Sequence, residues 1–399
     1  MQASLPTDLS QRIISLDVIR GIAVLGILMM NIQSFSMPDT AYINPTAFGD
    51  LSGINGWVWG FSHLFIDSKF MSIFSLLFGV GVMLFSERAE DKHIPAAKLH
   101  KRRMGWLLLF GLIHGHLIWS GDVLFSYAVC GFWAVLFRQQ SVRTLWTVGL
   151  VLISIPTVFD LLSQSALSTM PTDELQYYLP DWQPNNEQIS ADIATFGGHW
   201  LGQLQQQSQD ALLMETYGFV YYVLWRVGGL MLIGMALYKQ GIFSAAIPAQ
   251  TLLRLGSFSV LTGIVVVGYG LYFNFHHQWN IRYSQYAGVQ FNYIGSVLMA
   301  IGYVLLFNAM IQKKLFVKAT QLLAKTGRMA FTNYIMQSLL CTFLFYGFGL
   351  GWYGQVERWQ QLIIVLIIWA VQLAVSQWWL ARYSFGPLEW LWRRLTYWR

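Results

Sequence analysis

The residues best placed for chemistry sit in an apolar stretch, GLIHGHLIWSGDVLFSY, at residues 111–127. Its titratable members are His114, His116, Asp122 and Tyr127. A neutral imidazole with a carboxylate in reach is the usual general-base arrangement, so His114 with Asp122 reads as a base and its orienting acid. The plain alternative is a packing histidine beside a carboxylate that caps the following helix. His116 lies about 200° further round a helix and faces elsewhere. Tyr127 joins the candidate substrate-binding set.

Further polar residues are scattered through apolar sequence. His63 and Asp67 are four apart, which is dyad spacing, and His63 is a second candidate base. Lys69 can hold an anionic group or an oxyanion, or it can snorkel to an interface. Asp17 and Arg20 are three apart and share a helix face with Gly21, Val24 and Asn31, so they read either as an ion pair pinning the helix or as a lining. Arg226 has no acid within a turn and needs a partner from another helix or a ligand anion. Asn333 and Gln337, four apart, read as interhelical hydrogen-bonding residues or as binding residues. No HExxH, CxxC, GxSxG or phosphate-loop pattern is present, and no metal-ligand set is visible. Cys130 and Cys341 stand far apart in apolar runs and signal no redox chemistry.

The elements that position these residues follow from composition. With 55% apolar, 16% aromatic and 11% charged residues, the chain lacks the polar surface a water-soluble fold needs. We expect an all-α polytopic membrane protein of about ten transmembrane helices, at roughly 14–36, 57–86, 103–119, 121–138, 143–163, 217–238, 253–275, 287–310, 328–347 and 359–381. The formal net charge of +6 is a topology signal and not a nucleic-acid footprint. Of 25 Lys and Arg residues, 20 fall on the side of the two termini, Arg12 and Arg399 among them. Arg282 and Arg358 lie in opposite loops, while Arg20, Lys69 and Arg226 fall within or at the edge of spans. Both termini are therefore expected in the cytoplasm. The first twelve residues lack a basic-then-apolar leader pattern, so the first span is expected to be retained.

The chain reads as a single membrane domain over 1–399, with residues 160–216 as an acidic outer loop that contains an interfacial helix. That loop carries eight acids and no Lys or Arg from Asp160 to Glu215. The second run is about 45 Å long as one helix, too long for a straight crossing, which predicts a break near Asp67 and Ser68 and a span starting at Lys69. The 111–127 stretch becomes the bend of a short-legged hairpin.

At this level the chain resembles a known family. SLDVIRGIAVLGILMMNI, KFMSIFSLLFGVG, GLIHGHLIWSGDVLFSYAVCG, KTGRMAFTNYIMQSL and GPLEWLWRRLT look like signature blocks of the YeiB-type bacterial membrane proteins, whose function is unassigned. The resemblance implies a bacterial inner-membrane location. The opening RxxSLDxxRG with a broken second span is also distantly similar to membrane acyltransferases of the heparan-glucosaminide acetyltransferase group. That similarity implies an acyl-CoA donor used from the cytosolic side, an acceptor on the other side, and a histidine base. The expected function is thus acyl transfer, with a transporter or lipid permease as the alternative. No cofactor is firmly implied beyond acyl-CoA as donor substrate. Expected partners are membrane lipid and a small-molecule substrate, with a homodimer considered and no nucleic acid.

Overall fold

The computed structural model describes residues 13–398. Arg12, Arg399 and the expectation about a leader in the first twelve residues lie outside the described residues. Within them every regular element is helical. That follows from the apolar composition, because in hydrocarbon a segment has to satisfy its own backbone N–H and C=O groups.

In chain order the helices begin with α1 (Ile14–Ser36), a single turn α2 (Thr40–Ile43), α3 (Gly53–Phe65), α4 (Lys69–Glu90), α5 (Ala96–Leu117), α6 (Leu124–Ala134) and α7 (Val142–Thr169). A segment with short helical turns leads to α8 (Asn186–Phe196) and α9 (Trp200–Leu213). The latter runs on through a π-helical stretch, Met214–Val223, into α10 (Leu224–Lys239). Then come α11 (Ala249–His276), α12 (Val289–Gln312), α13 (Val317–Arg328), α14 (Ala330–Phe345), α15 (Arg358–Leu380) and α16 (Pro387–Tyr397).

Among the described residues seven helical runs are long and apolar enough to cross a membrane: α1, α3 with α4, α7, α9 with α10, α11, the run Ile281–Gln312 that contains α12, and α15. Residues 124–137 and 330–345 form shorter apolar helices. The second run breaks between Phe65 and Lys69, where Ser68 adopts a left-handed φ of 61°. A non-glycine residue in that region is uncommon and here marks a sharp change of direction.

The central helix is α1, buried on all sides from Ala23 to Ile32 and packed against α4, α12, α13, α14 and α15. Helices that are apolar all round belong inside a bundle. By contrast α11 exposes Leu255, Phe258, Leu261, Val265, Tyr269 and Tyr272, a stripe at three- and four-residue spacing. In water this would be an anomalous apolar patch, whereas against lipid it is an ordinary surface.

One close crossing sets up the polar interior. A Cβ at Gly79 of α4 would run into the Met231 carbonyl, and one at Gly234 of α10 into the Leu76 carbonyl. The bare backbones therefore touch, as small residues at membrane helix interfaces permit. Alanine at Gly79 or Gly234 is expected to cost about 1–3 kcal/mol by overpacking, read as a lower thermal midpoint in detergent. Gly81→Ala on the same helix faces open space and is expected to stay within about 0.5 kcal/mol of wild type.

Candidate functional site

The bend between α5 and α6 folds back on itself because Gly111 has no side chain: a Cβ there would collide with the backbone of Phe125. Asp122 in the bend uses both carboxylate oxygens. Oδ2 accepts the Phe125 N–H at 2.7 Å, which caps α6, and Oδ1 lies 2.8 Å from His114 Nδ1. The capping and the orienting readings are therefore both true, one per oxygen. The two side chains are 1% and 3% exposed.

His114 has a second partner that sequence reasoning missed. Its Nε2 lies 2.9 Å from Ser338 Oγ on α14. A carboxylate on Nδ1 holds the proton there, so in the neutral ring Nε2 accepts from the serine hydroxyl. Tyr334, one turn before Ser338, places its ring 5.1 Å from the imidazole and accepts the Val123 N–H through its hydroxyl at 3.3 Å. Asp122, His114 and Ser338 thus stand in an acid–imidazole–hydroxyl line. Ser338 lies in no GxSxG-like context; its only sequence signal is its place directly after Gln337 in the polar spacing of α14.

His116 faces the other way, as its phase predicts. Its Nδ1 lies 2.7 Å from Ser208 Oγ and its Nε2 3.3 Å from Glu215, so it ties α5 to α9. The opposite side of α9 forms with α8 an open groove of about 480 Å³ that includes His199, Gln205, Gln206 and Gln209.

A second polar cluster forms where α3 breaks into α4. Asp67 accepts the Tyr42 hydroxyl at 2.6 Å and the Asn292 amide at 3.0 Å, and lies 3.5 Å from His63 Nδ1. Lys69, fully buried, donates to the His63 carbonyl and to Asn292 Oδ1, both at 2.6 Å. Arg226, equally buried, donates to the Tyr293 carbonyl at 3.0 Å, Ser72 Oγ at 2.9 Å and Ser296 Oγ at 2.7 Å. Its partners do come from other helices, but all are neutral oxygens.

The remaining candidates are separate. Asp17 and Arg20 pair at 3.0 Å. Asn31 is buried on α1. Tyr127 lies 3.2 Å from Ser75 Oγ and donates to the Met71 carbonyl at 3.3 Å. Gln337 donates to the Val24 carbonyl and to Gln372, and Asn333 to the Thr326 carbonyl and Ser376, which is the interhelical bonding their spacing suggested. Among the described residues no group of three His, Cys, Asp or Glu side chains could hold a metal ion.

The geometry defines a helical membrane protein with a buried imidazole–carboxylate pair, and comparison with known proteins supplies its family. The chain is 31% identical to "Uncharacterized protein YeiB" of Escherichia coli (strain K12), over 97% of this chain and 96% of that protein. It is 32% identical to "Uncharacterized protein YxaH" of Bacillus subtilis (strain 168), over 100% of this chain and 97% of that one. Residues 237–399 match the family described as "Protein of unknown function (DUF418)". The chain belongs to this YeiB family. None of these descriptions states an activity, and no solved structure matches the chain.

Two outcomes follow from this geometry. His114→Ala strands the Asp122 oxygen and the Ser338 hydroxyl in a buried setting, and a thermal midpoint loss equivalent to about 1–3 kcal/mol is expected. The other concerns the loop after α1, where Asp39 is exposed. The protein wall around it and the Asp210 and Asp192 carboxylates push its pKa up to about 7. A raised carboxyl pKa means that the fold favours the protonated form. Its contribution is then complete below the unfolded value of about 4 and is lost as pH rises towards 7. Midpoints measured from pH 4 to 7 should fall less steeply in Asp39→Asn, by a modest amount because solvent screens an exposed group.

Proposed function

We propose that this protein is a membrane-embedded acyltransferase that passes an acyl group from a thioester donor to a hydroxyl or amine acceptor. The observation that carries the reading is the alignment of Asp122, His114 and Ser338. The His114 Nε2 takes the Ser338 proton as Oγ bonds to the acyl carbon. The carbon–sulfur bond breaks, and the departing thiolate recovers that proton from the imidazolium. In the second half the acceptor gives its proton to His114 and its oxygen or nitrogen takes the acyl group from Ser338, whose hydroxyl is restored by the imidazolium. Asp122 keeps the ring in the required tautomer and offsets its transient charge. His63 with Asp67 is the reserve base in this reading.

The donor is proposed to be acyl-CoA, reached from a cytoplasmic face rich in Lys and Arg. The supporting topology counts α5, α6 and α14 with the seven long runs, giving ten crossings, termini in the cytoplasm and an inner-membrane location. The acidic outer segment would then lie over the acceptor. A permease is the second reading, favoured by the buried Lys69 and Arg226, because ionisable groups at membrane depth often form substrate or proton sites.

Incubating the purified protein with acetyl-CoA should give an acetyl adduct on Ser338 by mass spectrometry and slow thioester hydrolysis. Both should be absent in Ser338→Ala and fall about 10²–10⁴-fold in His114→Gln. No adduct and no hydrolysis with acyl chains from two to sixteen carbons would sink the acyl-transfer reading, and solute counterflow in vesicles would then support the permease.

A further inference from the structure

Arg226 is buried without a carboxylate on it. Its three hydrogen-bond partners are neutral, it lies over the Tyr293 and Tyr222 rings at 4.5 and 6.0 Å, and its Nε has no hydrogen-bond partner. A guanidinium out of water without a counter-charge is among the costliest arrangements a protein can hold. Arg358 is also buried with an unpartnered Nε and neutral partners, Gln33 and the Pro45 and Phe48 carbonyls, but it has the Asp50 carboxylate nearby.

Lys69 stands beside Arg226, and the shared elements show how near. On α4, Ser72 is one turn past Lys69 and bonds Arg226. On α12, Asn292 bonds Lys69, while its neighbours Tyr293 and Ser296 bond Arg226. The two cations therefore bracket one helical turn of α4 and of α12 and repel each other. Asp67 acts on the Lys69 charge, but no carboxylate contacts Arg226. Asp67 is engaged by Tyr42 and Asn292. Asp160 on α7 accepts from Tyr221 and Gln290.

Those last bonds also explain the backbone. Tyr221 lies in the π-helical stretch Met214–Val223 and Gln290 just past a second one, Ser284–Gly288. Asp160 thus clamps both irregular segments, which end shortly before Arg226 and before Asn292. Such π-helical insertions are rare and recur at functional sites, where they re-aim the next turn. Beside the cations, Tyr42 is 36% exposed and the His63 and Asp67 side chains 17% each, so one side of the cluster lies at the protein surface.

We propose that the polar junction of α4, α10 and α12 is a binding site for an oxyanion, the carboxylate or phosphate of a small solute or of a lipid headgroup. Lys69 Nζ and Arg226 Nε are the direct donors, and Ser72, Ser296 and Asn292 hold them in place. An anion here supplies the missing counter-charge and approaches past Tyr42 and His63. The site does not depend on acyl transfer and serves a transferase or a permease equally.

The test is thermal unfolding of the full-length protein in detergent, titrated with inorganic phosphate or acetate against chloride at constant ionic strength. A parallel arm compares phosphatidylcholine vesicles with and without phosphatidylglycerol. A saturable rise of about 3–6 °C is expected; phosphate or acetate responding indicates a soluble ligand, and only the anionic vesicles responding indicates a headgroup. Arg226→Gln should abolish the response while leaving the anion-free midpoint equal to or above wild type, because it removes an unanswered charge. Ser296→Asp, which places a carboxylate against Arg226, should raise the anion-free midpoint and also abolish the response. A wild type that responds to neither arm, or variants that respond as wild type does, would overturn the proposal.

Discussion

The bend between α5 and α6 depends on one carboxylate. A helix beginning inside a bundle exposes N–H groups that water cannot reach, and Asp122 answers one of them with Oδ2. The other oxygen would be an isolated acceptor at depth without a donor, and His114 is that donor. The bend and the imidazole are thus fixed by the same side chain. Whatever His114 does chemically, its tautomer and orientation follow from how this hairpin has to close. Ser338 then completes the line from a helix more than 200 residues away in sequence.

The same constraint explains the rest of the interior. Polar groups inside hydrocarbon have to be satisfied by protein, so they occur in chains. Gln337 reaches the Val24 carbonyl and Gln372, and Gln372 in turn reaches the Asn333 carbonyl, linking α1, α14 and α15. Asp160 holds two π-helical segments to α7. Against this background the hydrogen-bond partners of Arg226 and the Tyr293 ring beneath it supply no formal negative charge, which is the basis of the anion site proposed above.

The break at Ser68 shows how local geometry and site formation meet. A left-handed residue between α3 and α4 turns the chain so that Asp67 and Lys69 both reach Asn292. A straight continuous helix would put Lys69 about 200° round from Asp67. The small residues at the α4–α10 crossing then bring Ser72 against Arg226.

Several features were legible in the sequence alone. The all-α membrane class, the break before Lys69, the reach of Asp122 to His114 and the Asp17–Arg20 pair follow from apolar run length, helical periodicity and short separations. These are local properties: hydrocarbon thickness and 3.6-residue periodicity act within one or two turns. The family resemblance was also carried by contiguous blocks. What only the tertiary structure decided is which distant residues share a space. Ser338 on His114, Asn292 on Lys69, and Ser72 and Ser296 on Arg226 are common residue types with no local mark, because hydroxyls and amides between membrane helices serve equally well as packing bonds anywhere. Their roles depend on how helices pack face to face, and that is set by the sum of many close contacts that no short stretch encodes.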